Sequence, residues 1–265
     1  MSVARVREIE LAYDASGNGS PLVLLHGFPF NRTLWREQVE AFRRHYRCIY
    51  VDLRGHGETT ATGDIATMEE MAADVAALLD ELQIERVALG GLSMGGYVAL
   101  AFYRSFPERV RALILADTRP RADTDEARRS REETATRVLR EGMTIIADAM
   151  LPKLLAPSTY AERPDIVARV RAMILNTNPW GAVAVLRGMA ARRDQTELLH
   201  KIQCSTLIMA GSLDAITPPG DAEALHREIR GSHLEVIKGA GHVSNLERPA
   251  QFNHALANFL DALEG

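Results

Sequence analysis

Short apolar runs alternate with amphipathic segments along most of the chain, and few folds satisfy that alternation. The strand candidates are residues 21–26, 48–53, 87–91, 112–116, 206–210 and 234–237. Apolar runs of this length, separated by helical patterns, fit a mostly parallel sheet covered by helices on both faces, an α/β fold. Residues 67–82 supply one cover, because Met68, Met71, Ala72, Val75, Leu78, Leu79 and Leu82 repeat at i, i+3, i+4 spacing. A last helix begins near Pro249, a residue favoured in the first helical turn, and buries Phe252, Leu256 and Phe259 or Leu260. At the N-terminus, residues 4–13 and 21–26 are separated by Asp14-Ala15-Ser16-Gly17-Asn18-Gly19, a loop of turn residues that predicts an antiparallel start.

The alternation stops once. Residues 118–203 contain no convincing strand, only helical patterns, which predicts a core of residues 1–117 and 204–265 carrying a helical cap insert at 118–203. Val138, Leu139, Met143, Ile146 and Met150 form the first helical pattern, followed by Pro152. A second helix starts at Pro164 with Ile166, Val167, Val170 and Ile174. A third follows the break Asn176-Thr177-Asn178-Pro179, with Trp180, Val183 and Met189. The charge-dense stretch from Asp123 to Arg140 reads as a solvated helix face with paired opposite charges.

At 265 residues the chain is long enough to bury one large core without a linker. Its formal net charge of −4 argues against nucleic acid or an anionic membrane as the main partner and leaves small neutral or weakly charged ligands. The two cysteines, Cys48 and Cys204, lie near the starts of apolar runs and read as buried thiols rather than a disulfide or a metal site. The first ten residues mix charges with single apolar residues, with no signal-peptide core or membrane-length stretch, so a cytoplasmic location is expected.

Gly91-Leu92-Ser93-Met94-Gly95 lies between a strand candidate and a helical run. A serine at so tight a turn is forced into an unfavourable backbone conformation, which glycines on either side permit, and its hydroxyl emerges at the positive end of the next helix. A serine nucleophile needs a base and a third group to orient that base. His242 follows a strand candidate in Gly239-Ala240-Gly241-His242, and Asp214 follows another in Gly211-Ser212-Leu213-Asp214. Both then sit with Ser93 at the carboxyl edge of the sheet, where ligands gather in open α/β folds. Asp117 also ends a strand candidate, but Asp214 has the glycine-led turn and falls shortly before His242. His26-Gly27-Phe28-Pro29 follows residues 21–25, so the N–H groups of Phe28 and Met94 are the candidate oxyanion donors, proline having none to offer. His26 and His56 each precede a glycine in a post-strand turn and read as rings that hold those loops by hydrogen bonds. His45, His200, His226, His233 and His254 have no catalytic spacing and read as surface or packing residues.

Taken together, His26-Gly27-Phe28-Pro29, Asp52-Leu53-Arg54-Gly55-His56-Gly57, Gly91-Leu92-Ser93-Met94-Gly95-Gly96, Gly211-Ser212-Leu213-Asp214 and Gly241-His242 resemble the serine α/β-hydrolases that carry a helical cap. The order serine, aspartate, histidine is that superfamily's order. The set is similar to bacterial carboxylesterases and 3-oxoadipate enol-lactonases, and to the cofactor-free haloperoxidase and perhydrolase group. Serine at position 93 argues against the dehalogenase and epoxide-hydrolase branches, which carry aspartate there. The resemblance implies a sheet of about eight strands and catalytic roles for Ser93, Asp214 and His242. It further implies an ester or lactone substrate cleaved through an acyl-serine intermediate, with no metal or organic cofactor; a monomer or homodimer is expected. Perhydrolase or C–C bond hydrolase chemistry on the same triad is the alternative, and a non-catalytic ligand receptor ranks last. Phe28, Phe30, Trp35, Met94, Met143, Met150, Leu151, Leu154 and Trp180 are candidate acyl-pocket residues, most of them expected to be ordinary core. Arg119 and Arg121 are placed to bind a substrate carboxylate.

Overall fold

The computed structural model of the protein describes residues 1–264. Eight strands, β1 (Ser2–Val6), β2 (Ile9–Ser16), β3 (Ser20–Leu25), β4 (Tyr46–Val51), β5 (Val87–Leu92), β6 (Val110–Ala116), β7 (Ser205–Gly211) and β8 (His233–Ile237), form one sheet. Their order is β1-β2-β4-β3-β5-β6-β7-β8. The β1–β2 and β2–β4 pairs are antiparallel and all the others parallel. All six residues of β5 are buried, as a central parallel strand covered on both faces requires.

The start of the chain differs in one respect from the sequence expectation. The antiparallel hairpin lies within residues 4–13, not between them and residues 21–26. Arg7 and Glu8 make its turn with φ of 43° and 69°, a conformation usually signalled by glycine or asparagine. The strand after the turn then pairs with β4, while β3 lies parallel between β4 and β5.

Twelve helices follow in chain order: α1 (Arg36–Phe42), α2 (Met68–Glu81), α3 (Met94–Ser105), α4 (Asp125–Glu141), α5 (Thr144–Leu154), α6 (Pro157–Glu162), α7 (Pro164–Leu175), α8 (Pro179–Ala191), α9 (Thr196–Leu199), α10 (Pro219–Glu228), α11 (Ser244–Glu247) and α12 (Pro249–Glu264). A capping box starts α2. Thr67 Oγ1 accepts from the Glu70 N–H at 3.1 Å, and Glu70 Oε2 accepts from the Thr67 N–H at 2.8 Å.

Between β6 and β7 the chain is helical, from α4 to α9. The apolar pattern running from Val138 to Met150 belongs to two helices, because Gly142 ends α4 with φ of 78°, and Pro152 falls inside the last turn of α5. Helix α8 seats this segment on the connection between β4 and α2 through two glycines. A Cβ on Gly181 would lie 2.0 Å from the Gly55 carbonyl oxygen, and one on Gly188 would lie 1.7 Å from that of Ala66. The Ala66 N–H also donates to the Ala184 carbonyl at 2.9 Å. The charge-dense stretch from Asp123 to Arg140 is less uniformly solvated than its composition predicts. Arg137 and Glu141 pair in solvent, but Asp123 is buried and bound by Arg131 and Arg192. Among the described residues no helix is long and apolar enough to cross a membrane.

Candidate active site

Ser93 joins β5 to α3 with φ of 54° and ψ of −114°, a backbone conformation that costs energy for any residue with a Cβ. The flanking glycines make the turn sterically feasible. A Cβ on Gly91 would sit 2.1 Å from the Gly95 carbonyl oxygen, and one on Gly95 would sit 2.2 Å from that of Leu25. The turn is held by its own backbone: the Ser93 N–H donates to Ala116 O at 2.9 Å, and Ser93 O accepts from the Gly96 N–H at 2.9 Å and from Thr118 Oγ1 at 2.7 Å.

Three strand ends bring their side chains to the Ser93 hydroxyl. Ser93 Oγ lies 2.8 Å from His242 Nε2, and His242 Nδ1 lies 2.7 Å from Asp214 Oδ2. Asp214 is fixed from the other side by Thr217, whose Oγ1 donates to Oδ2 at 2.7 Å, while the N–H groups of Ile216 and Thr217 donate to Oδ1 at 2.8 and 3.0 Å. Burial pushes the Asp214 carboxyl up, but the hydrogen bond and charge of His242, with the Thr217 donors, outweigh it and hold the group below the usual carboxylate range. For His242, burial alone would depress the imidazolium. The hydrogen bond and charge of Asp214, joined by the charge of Asp117, reverse that and raise it above the ordinary value.

Phe28 follows β3 and Met94 opens α3, and neither N–H finds a protein acceptor among the described residues. The Phe28–Pro29 peptide is cis. His26 ties its loop to the next, since its Nε2 accepts from the Leu53 N–H at 3.0 Å and its Nδ1 donates to Gly27 O at 2.9 Å. Its neighbour His56 packs edge-on against both His26 and the Phe28 ring. Burial holds both rings neutral, at about 4 for His26 and about 3 for His56. The conspicuous Asp52-to-Gly57 motif is a brace: buried Asp52 accepts from the Arg32 backbone and guanidinium and from the Glu58 N–H. A Cβ on Gly57 would overlap that carboxylate at 2.2 Å.

A family model of the alpha/beta hydrolase fold matches residues 20–249. The chain belongs to the α/β-hydrolase family. A thermophilic esterase from Thermogutta terrifontis, solved with malate bound, is 42% identical and superposes with a TM-score of 0.97 over 100% of this chain and 99% of its own. A 3-oxoadipate enol-lactonase from Acinetobacter baylyi is 30% identical over 252 residues, 94% of this chain and 92% of its own. A bromoperoxidase from Bacillus anthracis is 25% identical, with a TM-score of 0.85 over 96% of both chains. Near relatives of this α/β-hydrolase thus carry esterase, lactonase and peroxidase names, so membership identifies the architecture more narrowly than the reaction.

One buried residue beside the site of this hydrolase, Glu247, carries no sequence signal. Glu247 is buried and accepts from the Gly241 N–H at 2.7 Å, the Ala156 N–H at 2.8 Å and Thr159 Oγ1 at 2.5 Å. It ties the His242 loop to the start of α6. Asp117 accepts from the Gly211 N–H at 2.8 Å and from Ser244 Oγ at 2.5 Å, linking β6, β7 and the histidine loop. Thr217 was readable in principle, as the residue three after an aspartate in a turn. Among the pocket candidates, Phe28 and Met150 line a cavity of about 370 Å³. Phe30 and Trp35 are core, and Trp180 is 69% exposed. Arg121 turns away to Asp221 at 2.5 Å, whereas Arg119 lines that cavity. Among the described residues no group of three or more His, Cys, Asp or Glu is placed to hold a metal ion.

Proposed function

We propose that this α/β-hydrolase cleaves a carboxylic ester or lactone through an acyl-Ser93 intermediate. The relay of 2.8 Å from Ser93 Oγ to His242 Nε2 and 2.7 Å from Nδ1 to Asp214 carries the reading. With its Nδ1–H donating a hydrogen bond to the Asp214 carboxylate, the imidazole presents Nε2 as an acceptor to the serine hydroxyl. Ser93 Oγ attacks the carbonyl carbon as Nε2 takes its proton. The carbonyl oxygen gains the negative charge and is met by the free N–H groups of Phe28 and Met94, the latter at the positive end of α3. His242 then protonates the departing alkoxide, water attacks the acyl-serine with His242 again as base, and Ser93 is released. Every proton in this sequence is handled by the chain's own side chains. Residues 118–203 act in this reading as the cap that shapes the acyl site, over a core of residues 1–117 and 204–265.

A panel of short 4-nitrophenyl esters and lactones, run beside Ser93→Ala, tests the proposal. The variant should turn over about 10⁴-fold or more slowly, and a fluorophosphonate should add to Ser93 in the parent alone. Parent-like turnover in the variant would refute it. Hydrogen peroxide in place of water at the second step would yield a peracid, so peroxide-dependent turnover of a free carboxylic acid, with no ester cleavage, would favour the perhydrolase reading.

A further inference from the structure

We propose that the substrate carries a carboxylate away from its scissile carbonyl, and that Arg119 and Lys153 hold it in the cavity bounded by Phe28, α4 and α5. This rests on the hydrolase reading above and narrows it to a substrate class. The cavity, of about 370 Å³, is lined by four cations, Arg119, Arg131, Arg137 and Lys153, against a single acid, Asp123. That acid is spent. Both Arg131 and Arg192 bind it, the latter at 2.7 Å. Arg137 is engaged by Glu141 at 3.1 Å and is half in solvent.

The remaining two cations lack a close counter-charge. Arg119 approaches Asp221 Oδ2 only to 4.0 Å, because Arg121 occupies the other oxygen of that carboxylate at 2.5 Å. Lys153 has no acidic partner among the described residues, and α5 presents it on the cavity wall. A guanidinium and an ammonium facing one space together form a receptor for a carboxylate, which the guanidinium can bind through two hydrogen bonds. Ile146, Met150 and Leu186 complete the wall with apolar surface for a short hydrocarbon spacer.

Two lining residues connect the cavity to the candidate site. Phe28, whose N–H is a candidate oxyanion donor, forms part of its wall. Arg119 follows Thr118, whose hydroxyl holds the Ser93 carbonyl at 2.7 Å, and its charge is felt at His242. In this proposal a substrate with its carbonyl at Ser93 passes Phe28 to place its carboxylate in this positively charged space.

The test compares charged and neutral partners of equal length. In one arm, mono-4-nitrophenyl succinate, glutarate and adipate are set against neutral 4-nitrophenyl esters; in the other, 4-carboxyphenyl butyrate is set against phenyl butyrate. In at least one arm kcat/KM should favour the anion by about 10-fold or more, with the arm revealing whether the carboxylate lies on the acyl or the alcohol side. Arg119→Gln and Lys153→Gln should each reduce that ratio several-fold, while Arg230→Gln, an exposed charge remote from the cavity, should leave it unchanged. A ratio near one in both arms, or one that Arg230→Gln reduces equally, overturns the carboxylate site while leaving ester hydrolysis intact. Absence of cleavage of any ester overturns the underlying hydrolase reading as well.

Discussion

The His242 N–H donates to the Leu154 carbonyl at 2.9 Å, so the loop carrying the candidate base is hydrogen-bonded directly to the end of α5. Glu247 reinforces the junction by gathering three donors, two from the α6 region and one from Gly241. The helical segment is consequently not an independent lid at this corner. Any movement of the α5–α6 junction displaces the histidine.

Glu247→Ala should therefore impair both stability and chemistry. It leaves three donors without their acceptor, and each buried unsatisfied group costs about 1–3 kcal/mol. A loss of at least ~3 kcal/mol in urea unfolding is expected, together with a lower kcat for ester cleavage. Glu247→Gln retains one acceptor oxygen and should fall between the variant and the parent. An unchanged unfolding midpoint for the alanine variant would show that the clip carries no load.

If His242 is the general base, its protonation should set the acid limb of the rate profile. A general base must be neutral, and the hydrogen bond and charge of Asp214, working against burial, raise His242 above its ordinary 6.5. The limiting kcat/KM should thus decline as pH falls through a value higher than that of a free imidazole. Asp214→Asn removes the largest favourable influence on the imidazolium, so the limb should move to lower pH while the plateau drops by ~10⁴-fold. A limb at or below 6.5 in the parent would contradict the electrostatic account.

Asp117 is expected to make stability depend on pH in the opposite sense from an ion-paired carboxylate. Burial, and next the charge of Asp214, push it up to about 7 from an ordinary value of 3.8. The fold favours the protonated form, so its contribution is complete below the unfolded value and is lost as pH rises through about 7. Asp117→Asn keeps an acceptor for the Gly211 N–H and places an amide beside Ser244 Oγ, whose hydroxyl turns to accept from it, but cannot ionise. The Tm of the variant minus that of the parent should therefore increase between about pH 5 and about pH 8. A difference independent of pH would place the carboxyl in its ionised form throughout.

The elements that were legible in the sequence are those whose burial leaves a one-dimensional trace. Strand β5 reads as a continuous apolar run because both its faces are covered, and α2 reads as a stripe because only one of its faces is. Ser93, Asp214 and His242 can be grouped because each follows a strand at the same sheet edge, where the structure indeed brings them within hydrogen-bond distance. The Arg7–Glu8 turn was invisible, since neither residue advertises a positive φ. Arg119 and Arg121 looked equivalent, and only the position of Asp221 on α10 separates them. Glu247 gave no signal because its partners come from residues 156, 159 and 241, a convergence that no local period encodes.

The glycines of α8 offer a test in which two effects have opposite signs. In an exposed helix, glycine to alanine stabilises by about 1 kcal/mol through helix propensity alone. At Gly181 and Gly188 the added methyl would meet backbone carbonyl oxygens at 2.0 and 1.7 Å, and backbone cannot rotate aside as a flexible side chain can. Relief requires α8 to withdraw from residues 55 and 66, which breaks the Ala66–Ala184 hydrogen bond and opens the packing beneath the helix. Overpacking of this kind costs about 1–3 kcal/mol or more, so the steric effect exceeds the propensity gain. Gly181→Ala and Gly188→Ala should each lower Tm. Gly220→Ala is the matched control, because it lies in α10 with open space around its Cβ position and no positive φ, so the propensity gain should survive. Equal Tm changes at all three positions would mean that α8 is not seated by close backbone contact.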